Sequence, residues 1–181
     1  MHLKTLKTIS PVLLLVCAAC GPQQAPKPAI PPDVSPQATP AISRPVSSAD
    51  VVKVSSAVGE ITAGKSGEAK VVLSISPGYH VNANPATFPY LIATAVTAGQ
   101  SKGVTIGKPV YPAPVLKKFS FEKQQLSVYE GTATINLPLQ AAGDVEKGPR
   151  SIPLTVRIQA CDDAACYAPA NLQSALAVTV K

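Results

Sequence analysis

Between Ser151 and Pro169 the chain reads SIPLTVRIQACDDAACYAP, and this stretch limits the possible folds more than any other. Ile152, Leu154, Val156, Ile158 and Ala160 fall in phase, with Thr155, Arg157 and Gln159 between them. Successive side chains of a strand point to opposite faces, so a period of two marks one face in a core and one in water. Runs of the same kind recur from Asp50 onward: Val51 to Val58, Glu68 to Ile75, Tyr90 to Val96, Val104 to Ile106, Thr132 to Leu139 and Leu172 to Val180. Ala63-Gly64, Ser76-Pro77-Gly78, Ala98-Gly99, Ala142-Gly143-Asp144 and Lys147-Gly148-Pro149 separate them as turns. About seven strands with no window of helical period predict an all-β domain over residues 50–181, an immunoglobulin-like antiparallel β-sandwich of about seven or more strands. The chain has no tryptophan, so the Cys…Trp…Cys pattern of antibody domains is missing and only the architecture is expected. Pro138 and Pro153 lie inside strand patterns, which points to edge positions or strand starts, because proline cannot donate to a ladder.

Upstream of Asp50 the composition changes. Met1 to Cys20 carries Lys4 and Lys7, an apolar run from Pro11 to Val16, and then Cys17-Ala18-Ala19-Cys20-Gly21. That is the layout of an export signal, too short to span a bilayer as a stable helix. Small residues before Cys20 resemble a bacterial lipoprotein signal, in which residues 1–19 are removed and Cys20 becomes the lipidated first residue. Cys17 stands where such signals usually have Leu, and the alternative is an ordinary signal cut nearby that leaves Cys20 free. Residues 20–49, rich in Pro, Ala, Ser and Gln, read as a disordered tether with too little to bury. The expected location is thus the periplasmic side of a bacterial envelope membrane, held by a lipid. Gly21, in place of the Asp that commonly retains lipoproteins at the inner membrane, favours the outer one.

Several functions are disfavoured. The net charge of +6 comes from scattered lysines and arginines without a basic stripe or interleaved aromatics, so nucleic acid is not an expected partner. Gly59-Glu60-Ile61-Thr62-Ala63-Gly64-Lys65-Ser66 fits the phosphate-loop pattern, but that chemistry needs a helix after the loop, and Glu68 to Ile75 alternates like a strand. A hairpin turn is expected there. After processing, two cysteines and His80 remain, too few for a structural zinc site, and with Met1 the sole methionine a blue-copper site lacks its axial ligand. No metal or other cofactor is expected, and His80 reads as a structural residue hydrogen-bonded within the domain.

Cys161 and Cys166 then have only each other, in a compartment where disulfides persist. Bridging them needs Cα atoms about 4.4 to 6.8 Å apart, so Asp162-Asp163-Ala164-Ala165 must fold back as a turn. As a staple the bridge is weak: a loop of about six residues gives about 2 kcal/mol on the chain-entropy formula, against about 4.7 for a hundred-residue loop. A short loop at a strand end favours redox chemistry over stapling, although a structural disulfide in a non-catalytic binding or assembly lipoprotein stays open. Asp162 and Asp163 should keep the free thiols protonated, since carboxylates raise a cysteine pKa. Lys117, Lys118 and Lys123 offset this if their loop folds over the pair.

QACDDAACYAPANLQ with its preceding strand, PGYHVNANPATFPYLIATAV, YPAPVLKKF and LSVYEG together resemble the N-terminal periplasmic domain of the thiol:disulfide interchange protein DsbD, the disulfide-bond corrector family, from about Val51 to Val180. The resemblance implies an immunoglobulin-like fold that passes electrons from a thioredoxin-like donor to exported thiol-disulfide proteins. It makes Cys166 the more exposed sulfur that forms mixed disulfides, and Cys161 the one that resolves them. It also aligns Leu126 to Gly131 with a loop that caps the pair, placing Val128 and Tyr129 there, with Tyr167 as a further shield. Four residues separate the cysteines here where the best-known member has five, and Val128 replaces a Phe at the cap. That member continues into a membrane domain and a thioredoxin-like domain; with Lys181 the last residue here, a thioredoxin-like protein or membrane thiol transporter is expected as a separate donor.

Overall fold

The computed structural model describes residues 47–57 and 59–181; the export signal, Cys20 and most of the tether lie outside the described residues. In chain order the elements are α1 (Ser48–Val51), β1 (Val52–Ala57), β2 (Gly59–Ile61), β3 (Ser66–Ile75), β4 (His80–Asn82), β5 (Ala95–Ala98) and β6 (Val104–Ile106). They continue with β7 (Val115–Lys117), β8 (Leu126–Tyr129), β9 (Thr132–Ala141), β10 (Gly148–Ile158), β11 (Ala160–Cys161) and β12 (Ala170–Val180).

Three sheets of four strands form, ordered β1-β3-β9-β6, β2-β12-β10-β5 and β11-β4-β8-β7. The four long strands sit at the centres of the first two sheets, where alternation sends Val71, Leu73, Ile135 and Leu137 from one sheet, and Ile152, Leu154, Val156, Ile158, Leu176 and Val178 from the other, into one core. Each of these side chains is essentially inaccessible to water. The architecture is the expected immunoglobulin-like β-sandwich. All pairings are antiparallel except β2 with β12, which run parallel through Gly59, Glu60 and Ile61.

That exception corrects the reading of the phosphate-loop look-alike. Strands do flank it, but β2 and β3 belong to different sheets, so the turn between them is a crossing and not a hairpin. Lys65 N–H donates to the Thr62 carbonyl at 3.0 Å, and Gly64 has φ of 74°, open to glycine and strained for other residues.

The two prolines lie within long central strands, against expectation, and the reason is local. Pro138 and Pro153 accept from Gly107 and Gly99 N–H, both at 2.8 Å. A strand residue turns its nitrogen and its carbonyl to the same side, so each missing N–H falls where the outer neighbour, β6 or β5, has just ended. Glycine is required opposite Pro153: a Cβ on Gly99 would lie 2.6 Å from the proline Cγ.

Two further corrections concern the path toward the cysteines. The expected strand from Tyr90 to Val96 is irregular until Ala95, because its polar backbone groups are met by side chains: Gln159 Oε1 accepts from Ile92 N–H at 3.0 Å, and Asn84 Nδ2 donates to the Thr94 carbonyl at 2.8 Å. The folded unit also starts before Asp50. Ser47 caps α1 in a reciprocal box with Asp50, and Ser48 is fully buried. Its hydroxyl accepts from Ala160 N–H at 2.9 Å and donates to the Ala168 carbonyl at 2.7 Å, clamping the base of the cysteine hairpin.

Candidate functional site

The run through Ile158 breaks at Gln159, and the chain leaves the sandwich to enter the third sheet as β11. Gln159 anchors the transfer, since Asn82 Nδ2 donates to its Oε1 at 3.0 Å. Cys161 follows at once and turns back through Asp162 to Ala165, so that Cys161 and Cys166 face each other as an antiparallel bridge. Asp162 N–H donates to the Ala165 carbonyl at 2.9 Å and Tyr167 N–H to the Ala160 carbonyl at 2.8 Å. The cysteines therefore occupy the non-hydrogen-bonded position between these bonds, where the pleat brings side chains closest. They form a disulfide with Cα atoms 3.9 Å apart, nearer than the expected range because they are direct cross-strand partners.

The two cysteines are unequally buried. Cys161 is 1% exposed, whereas Cys166 is only partly covered. Asp162 is committed to the turn: its Oδ1 accepts from Ala164 and Ala165 N–H, both at 2.8 Å, and its Oδ2 accepts from the Tyr167 hydroxyl. The Tyr167 hydroxyl and these two amides hold the Asp162 carboxyl below its ordinary pKa. The same contact pushes the Tyr167 phenol up to about 12. Tyr167 thus stands beside Cys166 with its ring 6.0 Å from that of Tyr79.

The expected cap divides between two faces. Leu126 to Tyr129 is a strand, β8, and not a loop. Tyr129 pairs with Val81, which pairs with Ala160, and this row joins the main core. The Tyr129 hydroxyl lies at Asn84, accepting from its N–H at 3.1 Å. Val128 projects from the other face, the face of Cys161 and His80, into a small cluster with Phe119 and Leu126. The structure brings Val128, and not Tyr129, to the cysteine face.

What covers that face is the segment after β7, which carries Lys118, Phe119 and Lys123. Ser120 Oγ donates to the Asp163 carbonyl at 2.6 Å, tying this segment to the cysteine loop. Phe119, 2% exposed, sets its ring edge-on to His80 with centroids 5.0 Å apart. Lys117 Nζ lies 3.7 Å from both Glu130 Oε2 and Asp163 Oδ1. Lys118 turns away to the carbonyls of Glu122 and Lys123, and Lys123 makes its backbone contacts on that same turn. Of the three lysines, Lys117 serves the site.

His80 is directly opposite Cys161 in the β4–β11 ladder and is 2% exposed. The reading of it as a hydrogen-bonded structural residue is corrected: neither ring nitrogen has a hydrogen-bond partner. Nδ1 stands 3.5 Å from Glu130 Oε2, and Nε2 stands 3.6 Å from Asp163 Oδ1. Burial, and then the Lys117 ammonium, lower the imidazole pKa, while the two carboxylates oppose that shift. Phe119 and Glu130 were not singled out from the sequence; Phe119 in KKFSF, in a chain poor in aromatics, was the available signal. Among the described residues no group of three His, Cys, Asp or Glu side chains is disposed to hold a metal ion.

No curated protein matches the chain in sequence. Among solved structures, the N-terminal periplasmic domain of ScsB from Proteus mirabilis is similar with a TM-score of 0.51 and 12% identity, covering 70% of this chain but 46% of that one. The N-terminal domain of Neisseria meningitidis DsbD in its reduced form aligns with a TM-score of 0.42 and 17% identity, over 65% of this chain and 82% of that one. The family described as thiol:disulfide interchange protein DsbD, N-terminal, matches residues 48–177, from the serine that clamps the hairpin into the last core strand, β12. The chain belongs to the family of DsbD N-terminal domains.

Proposed function

We propose that this domain is a thiol–disulfide exchange module, relaying two electrons between a thioredoxin-like or membrane-linked thiol donor and exported acceptor proteins. Cys166 is the sulfur that partners attack and that forms the mixed disulfide; Cys161 resolves it. Tyr167 shields Cys166 on one side, and Val128 with Phe119 shields the inner face. In the same reading Cys20 carries the lipid and residues 21–46 let the module work away from a periplasmic membrane face, the outer membrane favoured.

One observation carries this reading: an unequally buried disulfide sits in a hairpin that also has hydrogen bonds of its own. Hydrogen bonds from Ser48, Asp162, Tyr167 and Ser120 hold the loop beside the sulfur–sulfur bond. Opening the bridge leaves the scaffold standing, and its chain-entropy contribution is only about 2 kcal/mol. Exchange proceeds by thiolate attack on the accessible sulfur and then release by the buried one.

The reduction potential tests the proposal. A value between roughly −120 and −270 mV supports a carrier, and one below about −300 mV marks a structural bond. Cys161→Ala should accumulate mixed disulfides through Cys166 in the native host; their absence sinks the relay.

A further inference from the structure

If the pair exchanges, one proton must move in a buried place. Cys161 starts the resolving step as a thiol at the least accessible point of the hairpin, and only the thiolate is nucleophilic. Water is excluded there by Phe119 and the small cluster beneath it. The groups on that face are few. His80 comes from β4, Lys117 from the end of β7, Glu130 from the end of β8, and Asp163 from the cysteine loop itself. Lys117 offsets one of the two carboxylates, so with a neutral imidazole the group holds one uncompensated negative charge and has room for one proton.

We propose that His80 accepts the proton that Cys161 releases when it resolves the mixed disulfide, with Glu130 orienting the imidazole. This rests on the exchange reading above. The two residues are cross-strand partners on one sheet face. Glu130 lies 3.5 Å from Nδ1 and Asp163 3.6 Å from Nε2; in the tautomer with its hydrogen on Nδ1, toward Glu130, the Nε2 lone pair is turned toward the cysteine loop. Nucleophile, base and orienting carboxylate then stand in sequence, as in other activated nucleophiles. The Cys161 proton passes to Nε2; the Cys161 sulfur attacks Cys166 Sγ; the Cys161–Cys166 bond forms as the bond from Cys166 to the partner breaks. The pair is oxidised by two electrons, and the partner leaves as a thiolate that takes a proton from water. Asp163, at Nε2, receives the new N–H, and the imidazolium returns its proton to solvent or to Cys161 in the reverse direction.

The lowered imidazole pKa supports the assignment, because a base that is neutral near pH 7 is free to accept.

The test uses the reduced domain and an aromatic disulfide reagent whose released thiolate is coloured. The first equivalent reports attack by the accessible Cys166, and the second reports resolution by Cys161. With His80→Gln the second phase should slow on the order of a hundredfold near pH 7, the low end for a positioned acid–base group, while the first stays unchanged. Two variants that keep the histidine guard against misfolding. Lys117→Gln removes a cation and should move the pH limb of the second phase upward; Glu130→Gln removes an anion and should move it downward. A second phase with the same rate and pH profile in all three overturns the role of His80 and leaves the exchange reading intact. No second phase in the unaltered protein overturns both.

Discussion

The sandwich and the small sheet beside it are built on different physics. Between the first two sheets the contacts are aliphatic and complete: Leu73, Ile135, Leu137, Ile152, Leu154, Val156, Ile158 and Leu176 are all at 0% exposure. The third sheet has strands of two to four residues, buries His80 and Asn82, and is held by a hydroxyl clamp, a carboxylate-capped turn and an aromatic lid. Hydrophobic burial is non-directional and tolerates nothing polar, so it makes a stable and inert scaffold. Directional polar contacts are individually weaker, but they place a charge, a proton or a sulfur at a chosen point. The disulfide sits in the part of the molecule that is held by such contacts.

The strongest way to press the contrast is to damage the scaffold. Leu154→Ala, in the middle of β10, should lower stability by about 4 kcal/mol, mostly as residual cavity. Denaturant unfolding should show the same loss in oxidised and reduced protein, because the hairpin lies outside this core. A loss that depends on the redox state would mean that the two regions fold as one unit. Phe119→Ala should cost about 3 kcal/mol, near the low end for a buried phenylalanine, since the ring meets His80, Phe121, the Lys117 ammonium and the small cluster. Amide exchange should then rise in β4, β7 and β8 and stay slow in β3, β9, β10 and β12; uniform acceleration would erase the distinction.

The same contrast explains what could be read from the chain. Strands β3, β9, β10 and β12 run 10 or 11 residues, long enough for a period of two to register. Strands β4, β7 and β11 are too short to carry a period, and His80, Val81 and Asn82 are buried on both faces, so no alternation marks them. Tyr90 to Val96 is apolar enough to read as a strand, yet Gln159 and Asn84 take its backbone groups, and a partner 67 residues away leaves no local trace. Ser48 looked like linker because its hydroxyl partners lie 112 and 120 residues on. The cysteine pair was legible because Cys161 and Cys166 are the two cysteines from Asp50 onward; its lid was not, because Phe119, which follows β7, reaches His80 past β8.

Opening the disulfide is a smaller perturbation than either substitution. Cys161→Ser with Cys166→Ser should lower stability by about 2 kcal/mol or less, since the loop is short and bonded independently. A larger drop in unfolding free energy would make the bridge part of the scaffold. Asp162→Ala should cost about 1 kcal/mol, by releasing Ala164 and Ala165 N–H from the turn. Its effect should be read as a mobile hairpin in amide exchange, with the sandwich unmoved.

The smallest effect divides the regions by pH. His80 is held below its ordinary pKa by burial and Lys117. Asp162 and Glu122 are held below theirs, Asp162 first by the Tyr167 hydroxyl and Glu122 first by the Gln124 amide. All three lie on the third sheet or the loops around it, and among the described residues the sandwich core holds no histidine, carboxylate or lysine side chain. The signs agree. An unfolded histidine takes up its proton near pH 6.5 while the folded one resists, so the unfolded state binds more protons and stability falls as pH drops through and below that value. A carboxylate whose folded pKa is depressed contributes fully above about pH 4 and loses that contribution as the pH falls toward the folded value. Acidification should therefore loosen the domain in two steps, first at His80 and then at Asp162 and Glu122, with both steps seen in the amides of β4, β8 and the hairpin. His80→Gln should remove the first step alone. If that step persists in the variant, the mild-acid weakness belongs elsewhere in the molecule, and the buried imidazole is not the group that couples this sheet to pH.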